Sequence, residues 1–166
     1  MPESQIKNEM KKALLIIASV LGFAAVASAQ PKAIGGRLGY GLEASYQHYL
    51  GNPNFLEVDA GLLVYGGEAG FQATGTYNFT FAQPDWTPRG QWSWYAGPGV
   101  SLGSTYFNDA NNFFFGLVGQ VGLEYTFWFP LQLSVDLRPT LGICDGEFWT
   151  DGLFGFVPTL SVRYSF

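Results

Sequence analysis

The sequence is poor in charge, since Asp, Glu, Lys and Arg make up only 13% of its 166 residues. Soluble domains carry roughly 25% charged residues, so this chain has too few charges to cover its surface with water-binding groups. Either much of its surface faces lipid, or the chain forms something fibrous or oligomeric. The 22 glycines show no period of three, which argues against a collagen-like fibre.

Cysteine, histidine and basic runs are also scarce. Cys144 is the only cysteine and His48 the only histidine, which excludes an intramolecular disulfide and a metal site of the cysteine type. The net charge is −5, and no basic run follows Lys11-Lys12. Nucleic acid is therefore not an expected partner, because phosphate binding requires a basic face. We expect neither a cofactor nor a bound metal.

The one long apolar stretch lies near the N-terminus. After Met10-Lys11-Lys12 comes "ALLIIASVLGFAAVASAQ", with the small residues Ala27-Ser28-Ala29 just before Gln30. This layout predicts a leader, residues 1–29, with a secretory signal peptide cleaved before Gln30. The apolar run of about 14 residues is short for a spanning helix, which needs about 20; an uncleaved anchor helix is the alternative. We interpret Met10 as the true start of translation.

The rest of the chain, residues 30–166, alternates apolar and polar residues with period two and shows no helical periodicity. Leu131, Leu133 and Val135, for example, alternate with Gln132 and Ser134. Most alternating segments exceed the roughly 5–6 residues of a soluble strand and suit tilted membrane strands, which need about 9–11. The pattern predicts an all-β fold, an antiparallel up-and-down transmembrane barrel.

The number of strands depends on one reversal. Alternation gives seven segments, whereas bacterial barrels have an even number of strands. The longest segment, 34–50, contains "GYG" at 39–41, where a three-residue turn would reverse the chain without changing the alternation phase. The predicted eight strands are 33–39, 42–50, 55–65, 68–81, 91–103, 113–127, 131–142 and 152–166.

The polar face of these strands carries charges of both signs. Inside a small barrel such charges must pair to offset their desolvation. The predicted barrel-interior charge network consists of Arg37, Glu43, Glu57, Asp59, Glu124, Asp136, Arg138 and Arg163. Five acids face three arginines, so either some carboxylates share a partner or one is protonated. Because side chains just fill an eight-stranded interior, we do not expect an open pore.

Counting strands back from a periplasmic C-terminus assigns each connection to one end. Connectors 51–54, 82–90 and 128–130 fall at the periplasmic end, and 66–67, 103–112 and 142–151 at the extracellular end. Tryptophans gather at the periplasmic rim, where they predict an aromatic girdle. Its members are Trp86, Trp92, Trp94 and Trp128.

The signal peptide, the alternating strands and the terminal "RYSF" together resemble the small outer-membrane β-barrel proteins of Gram-negative bacteria, the OmpA/OmpX-like group. The stretch "GLEASYQHYLG" resembles the first strands of short, porin-like barrels of the Bacteroidota. The resemblance covers residues 30–166 and implies an outer-membrane location and outer-membrane lipid as a partner. It also implies an assembly signal for the barrel-insertion machinery, at Leu160, Val162, Tyr164 and Phe166.

No pattern predicts catalysis. No nucleophile lies beside a base, and His48 falls on the apolar face while Ser45 falls on the opposite one, so we predict that the protein is not an enzyme. We expect a role in envelope integrity, or in surface contact through loops 103–112 and 142–151. The alternative is a soluble exported lipocalin-like barrel that carries a small apolar ligand, with the same alternation but the faces inverted.

Overall fold

The computed structural model of the chain describes residues 32–39, 41–51, 53–65, 68–107, 110–150 and 157–166. The chain divides into two units, residues 1–30 and 31–166. The predicted leader and its cleavage site lie outside the described residues. All described regular structure is β-strand. The strands are β1 Lys32–Leu38, β2 Gly41–Tyr49, β3 Phe55–Tyr65, β4 Glu68–Ala82, β5 Gln91–Phe107, β6 Ala110–Thr126, β7 Gln132–Leu137, β8 Thr140–Cys144, β9 Glu147–Thr150 and β10 Thr159–Ser165.

These strands close into an antiparallel barrel of eight wall strands. Each strand from β1 to β6 pairs with the next along the chain, and β10 pairs with both β7 and β1. Leu137 at the end of β7 pairs with Val121, and Thr140 at the start of β8 pairs with Val118, so both strands follow β6 in one register. β7 and β8 therefore form a single wall strand, and the predicted eight-stranded antiparallel architecture is confirmed.

The predicted reversal at 39–41 is also present. Leu38 pairs with Leu42 across this connection, and the Gly39 N–H donates a hydrogen bond of 3.1 Å to the Gly41 carbonyl. Both leucines point outward, 60% and 64% exposed. A three-residue connection leaves the inward and outward positions in phase, which is why the alternation alone shows one segment here.

Two predicted loops are hairpins instead. β5 and β6 remain paired as far as Phe107 with Ala110, so most of loop 103–112 is strand. The sequence pattern did not reveal this strand, because its Asn and Asp residues interrupt the apolar alternation while the backbone pairing continues. In loop 142–151, β8 and β9 are joined by Asp145-Gly146, both with positive φ. Such a two-residue turn is the one that Asp-Gly favours.

The predicted strand 131–142 is interrupted, and only part of strand 152–166 is described. Arg138-Pro139 separates β7 from β8, because proline has no N–H to give to a ladder. The Pro139 carbonyl still accepts a 2.9 Å hydrogen bond from the Gly119 N–H, which preserves the register with β6. The described part of the last strand begins at Thr159, and residues 151–156 lie outside the described ranges.

Glycines opposite aromatic residues make room for large side chains inside the barrel. Tyr95 on β5 is fully buried and pairs directly with Gly122 on β6. A Cβ added at Gly122 would lie 2.5 Å from the tyrosine ring and 2.6 Å from the Asp136 Cβ. Phe114 has the same relation to Gly103. A small residue is therefore required opposite each ring.

We predict that Gly122→Ala destabilises the barrel by about 1–3 kcal/mol, the usual cost of overpacking a filled interior. Urea unfolding followed by tryptophan fluorescence measures this change. Gly75→Ala is the matched control, because a Cβ at Gly75 meets no atom within 4 Å. Equal unfolding midpoints for the two variants would contradict the steric explanation.

Candidate functional site

The interior of the barrel is polar. Among the described residues, the buried hydrophobic side chains are only Ala33, Phe55, Tyr95, Phe114 and Val118. Many more buried side chains are polar or charged, and they come from every wall strand. These are Arg37, Ser45, Gln47, Glu57, Asp59, Thr74, Thr76, Asn78, Ser93, Ser101, Gln120, Glu124, Gln132, Ser134, Asp136, Thr140, Thr159, Ser161 and Arg163.

The centre of this interior is the carboxylate of Glu57 on β3, which is fully buried. Its Oε1 lies 3.3 Å from Nη1 of Arg37 and 3.0 Å from Nη2 of Arg163, and it also accepts a hydrogen bond from Arg138. Gln47 donates to Oε2 at 2.8 Å. One carboxylate thus contacts all three arginines of the predicted network.

Arg37 connects the first strand to the last two wall strands. Its guanidinium forms a bidentate pair with Asp136 on β7, at 2.9 and 2.5 Å, and donates to Thr159 on β10 at 2.7 Å. Its Nε lies 3.3 Å from Glu43 on β2. Planar, bidentate arginine–carboxylate pairs are among the stronger hydrogen-bonded interactions in proteins, so this group ties β1 to β7 and β10.

Arg163 on β10 connects this strand to β2 and β7. Its Nε and Nη1 donate to Ser45 on β2 and Ser134 on β7, each at 2.8 Å, and Nη1 lies 4.0 Å from Glu124. Glu124 also accepts a 2.9 Å hydrogen bond from the Tyr49 hydroxyl. Buried carboxylates are thereby supplied with neutral donors as well as arginines.

Arg138, at the break between β7 and β8, completes the connections. It pairs with Asp59 as well as Glu57. All eight charged residues predicted to lie inside the barrel therefore form one connected network, in which five carboxylates share three arginines. No neutral residues were assigned to this network from the sequence alone. Their inward phase on the same strands is the signal that could have found them: Ser45, Gln47, Tyr49, Gln120, Gln132, Ser134 and Thr159.

The outer face is apolar around the whole wall. Every wall strand carries large hydrophobic side chains at least 38% exposed, often the outward neighbours of the buried polar ones. They include Ile34, Leu38, Leu42, Leu56, Val58, Leu62, Val64, Phe71, Phe79, Phe81, Val100, Leu102, Phe113, Phe115, Leu117, Val121, Leu133, Val135, Leu141, Ile143, Leu160 and Val162. An apolar surface of this extent is unusual for a monomeric soluble protein.

Aromatic rings collect at the end of the barrel that holds both chain ends of the described wall. Trp86 packs against Trp92 and Trp94, with ring centroids 5.5 and 6.4 Å apart. Trp92 lies 4.6 Å from Tyr125. The row of contacts continues through Phe127 to Trp128. The four predicted girdle tryptophans are thus joined in one cluster, which we call the tryptophan cluster.

The final strand presents the predicted assembly residues on the outer face. Leu160, Val162, Tyr164 and Phe166 are 53–61% exposed, while Arg163 points into the network. The Phe166 N–H donates to the Lys32 carbonyl at 2.8 Å, and the Lys32 N–H donates to the Phe166 carbonyl at 2.9 Å. The last residue of the chain is therefore part of the closed wall.

The residues considered for catalysis do not come together. His48 lies on the outer face, 3.3 Å from the Tyr46 hydroxyl, whereas Ser45 is buried inside and bonded to Arg163. Asp145, in the turn between β8 and β9, accepts a 3.3 Å hydrogen bond from the N–H of Phe113 on β6. Within the described part of the chain, no group of three or more His, Cys, Asp or Glu side chains could hold a metal ion.

No protein-family model, curated protein or solved structure matches this chain. The described residues contain no helix long and apolar enough to cross a membrane, a finding that concerns helices alone.

We predict that Glu57→Gln lowers the free energy of unfolding by about 3–5 kcal/mol, because it leaves buried arginines without their shared carboxylate. Urea titration of the folded protein measures the loss. Glu147→Gln makes the same substitution at an exposed position and should change stability by less than about 0.5 kcal/mol. A similar small effect at Glu57 would show that the network does not depend on its central carboxylate.

Proposed function

We propose that this protein is an integral outer-membrane β-barrel protein of a Gram-negative envelope, with a structural or surface-interaction role. The observation that carries the proposal is the direction of the side chains. Charged and amide groups fill the interior, while Leu, Val, Ile and Phe cover the outer wall. In water this arrangement would expose the apolar surface whose burial normally drives folding; in lipid it matches the inside and outside of a transmembrane barrel.

The architecture alone would also suit a lipocalin-like carrier, because an eight-stranded barrel can enclose one small ligand. A carrier of an apolar ligand needs an apolar interior. Here the residues at the centre of the interior are Glu57, Asp136 and three arginines, which give an apolar molecule no favourable surface. The same filled centre supports a closed barrel rather than an open pore.

The tryptophan cluster supports an orientation for the barrel. Tryptophan and tyrosine are enriched at the boundary between hydrocarbon and head groups, and here they mark the end that holds the C-terminus. The opposite end carries the β5–β6 and β8–β9 hairpins. In the proposed orientation these hairpins reach the extracellular side, where surface contact through 103–112 and 142–151 would occur, and the barrel-insertion machinery reads the C-terminal strand from the periplasm.

A charge placed on the outer wall separates the membrane and soluble alternatives. Leu117 lies near the middle of the outer face of β6 and is 64% exposed. In lipid, Leu117→Arg should cost about 2–4 kcal/mol, the value for arginine at the bilayer midplane. Refolding into lipid vesicles, measured by urea titration, gives this value.

The control is Glu147→Arg, which places arginine in the β8–β9 hairpin and should cost at most about 1 kcal/mol. For a soluble barrel, Leu117→Arg would change stability by less than about 0.5 kcal/mol and would improve solubility. That result, together with recovery of the wild-type protein in the periplasmic soluble fraction, would refute the membrane proposal.

A further inference from the structure

The wall of the barrel has very unequal height. β1 has 7 residues and β2 has 9, whereas β5 and β6 have 17 each. At about 3.3 Å per residue and a tilt of about 45°, 7 residues rise roughly 16 Å along the barrel axis and 17 rise roughly 40 Å. The apolar band of an outer-membrane barrel is about 25 Å tall. β1 is too short for such a band, and the 9 residues of β2, which rise roughly 21 Å, also fall below it.

The height of the apolar face can be measured from the aromatic residues on two sides of the wall. We call the side formed by β1 and β2 the low side, and the side formed by β5 and β6 the high side. On the low side, Ile34 on β1 pairs with Tyr46 on β2 and Tyr164 on β10. The last outward residue before the turn is Leu38, only four positions beyond Ile34, which corresponds to a rise of roughly 9 Å. Below this row lies a polar pair, Lys32 and His48.

On the high side, the apolar face extends much further from the aromatic residues. Tyr125 on β6 belongs to the row of rings that starts at Trp92. Outward residues continue from Tyr125 to Phe113, twelve positions away, which corresponds to a rise of roughly 28 Å. Phe113 and Phe115 are 59% and 49% exposed. The apolar face is therefore about three times taller on β6 than on β1.

On the low side, the edge of β3 that faces β2 extends past the end of β2. β2 begins at Gly41, which pairs with Leu63. Above this level, Val64 and Tyr65 of β3 pair only with β4 among the described residues. Backbone groups at an open sheet edge do not occur in the hydrocarbon of a bilayer, because they lack hydrogen-bond partners there. Water or lipid head groups must therefore reach down to the turn at 39–41.

We propose that the bilayer is locally thinned where it meets the β1–β2 hairpin, so that this face binds a shortened acyl-chain region. The inference rests on the proposed membrane function. Lipid adapts to a short apolar face at a fraction of a kcal/mol per Å of mismatch, whereas the backbone edge of β3 at Val64 and Tyr65 cannot be moved into hydrocarbon at comparable cost. The molecules that cover this face are lipids, and their head groups lie closer to the bilayer midplane here than elsewhere around the barrel.

The test lengthens the low side. Inserting Thr-Val after Leu38 and Val-Thr before Leu42 adds one inward and one outward pair to the β1–β2 hairpin. The control inserts Val-Thr after Phe107 and Thr-Val before Ala110, because the order must be reversed here to keep valine in the outward phase of Phe115 and Leu117. It lengthens a hairpin that already exceeds the band. The variants and the wild type are refolded into dilauroyl and dioleoyl phosphatidylcholine vesicles, and folding is measured by the gel mobility of unheated samples.

We expect the wild type and the control to fold several-fold less well in the thicker dioleoyl vesicles, and the lengthened hairpin to remove most of that difference. A polarity-sensitive fluorophore on Leu42→Cys, in a Cys144→Ser background, reports the local environment. The fluorophore should report a hydrated environment when the hairpin has its wild-type length and a dry environment when the hairpin is lengthened. A dry probe at the wild-type length, with no effect of the insertion, would overturn the proposal.

Two other experimental outcomes would lead to different conclusions. A probe that becomes dry only at high ratios of protein to lipid would mean that a second copy covers this face, which also overturns the thinning proposal. If no variant enters vesicles of either lipid and all remain soluble, the proposed membrane function itself fails.

Discussion

A carboxylate taken out of water inside a barrel must be compensated by opposite charge and hydrogen-bond donors, and the structure of this protein is arranged around that requirement at Glu57. Its partners come from β1, from the break between β7 and β8, and from β10. The first and last strands thus supply cations to the same anion on β3. β1 and β10, whose backbones pair to close the wall, therefore also carry two of the arginines that pair with Glu57 across the interior.

The filled polar interior also determines what the outside must be. With arginines, carboxylates and amides occupying the barrel, the large hydrophobic side chains of each strand have only the outward positions left. The result is a wall with an apolar outer face around an interior of polar and charged side chains, the arrangement on which the proposed membrane location rests. Glycine opposite Tyr95 and Phe114 lets the remaining aromatic side chains fit without widening the barrel.

Much of this could be predicted from the sequence because strand alternation has a period of two. The phase of Arg37, Glu57 and Arg163 relative to their apolar neighbours assigned them to the interior without any knowledge of the register. The partners of each charge could not be predicted, because the contact between Arg37 and Asp136 depends on closure of the barrel between residues 99 positions apart. The extra length of β5 and β6 was missed because polar residues beyond the apolar band leave no alternation to detect.

The hydrogen bonds between Lys32 and Phe166 place the two ends of the wall side by side. A short linker between them, with a new opening at a turn such as Asp145-Gly146, would give a circular permutant in which every wall strand keeps its neighbours. In such a chain the terminal aromatic strand would become internal. The part that this strand plays in wall geometry would then be separated from any part it plays as the last segment of the polypeptide.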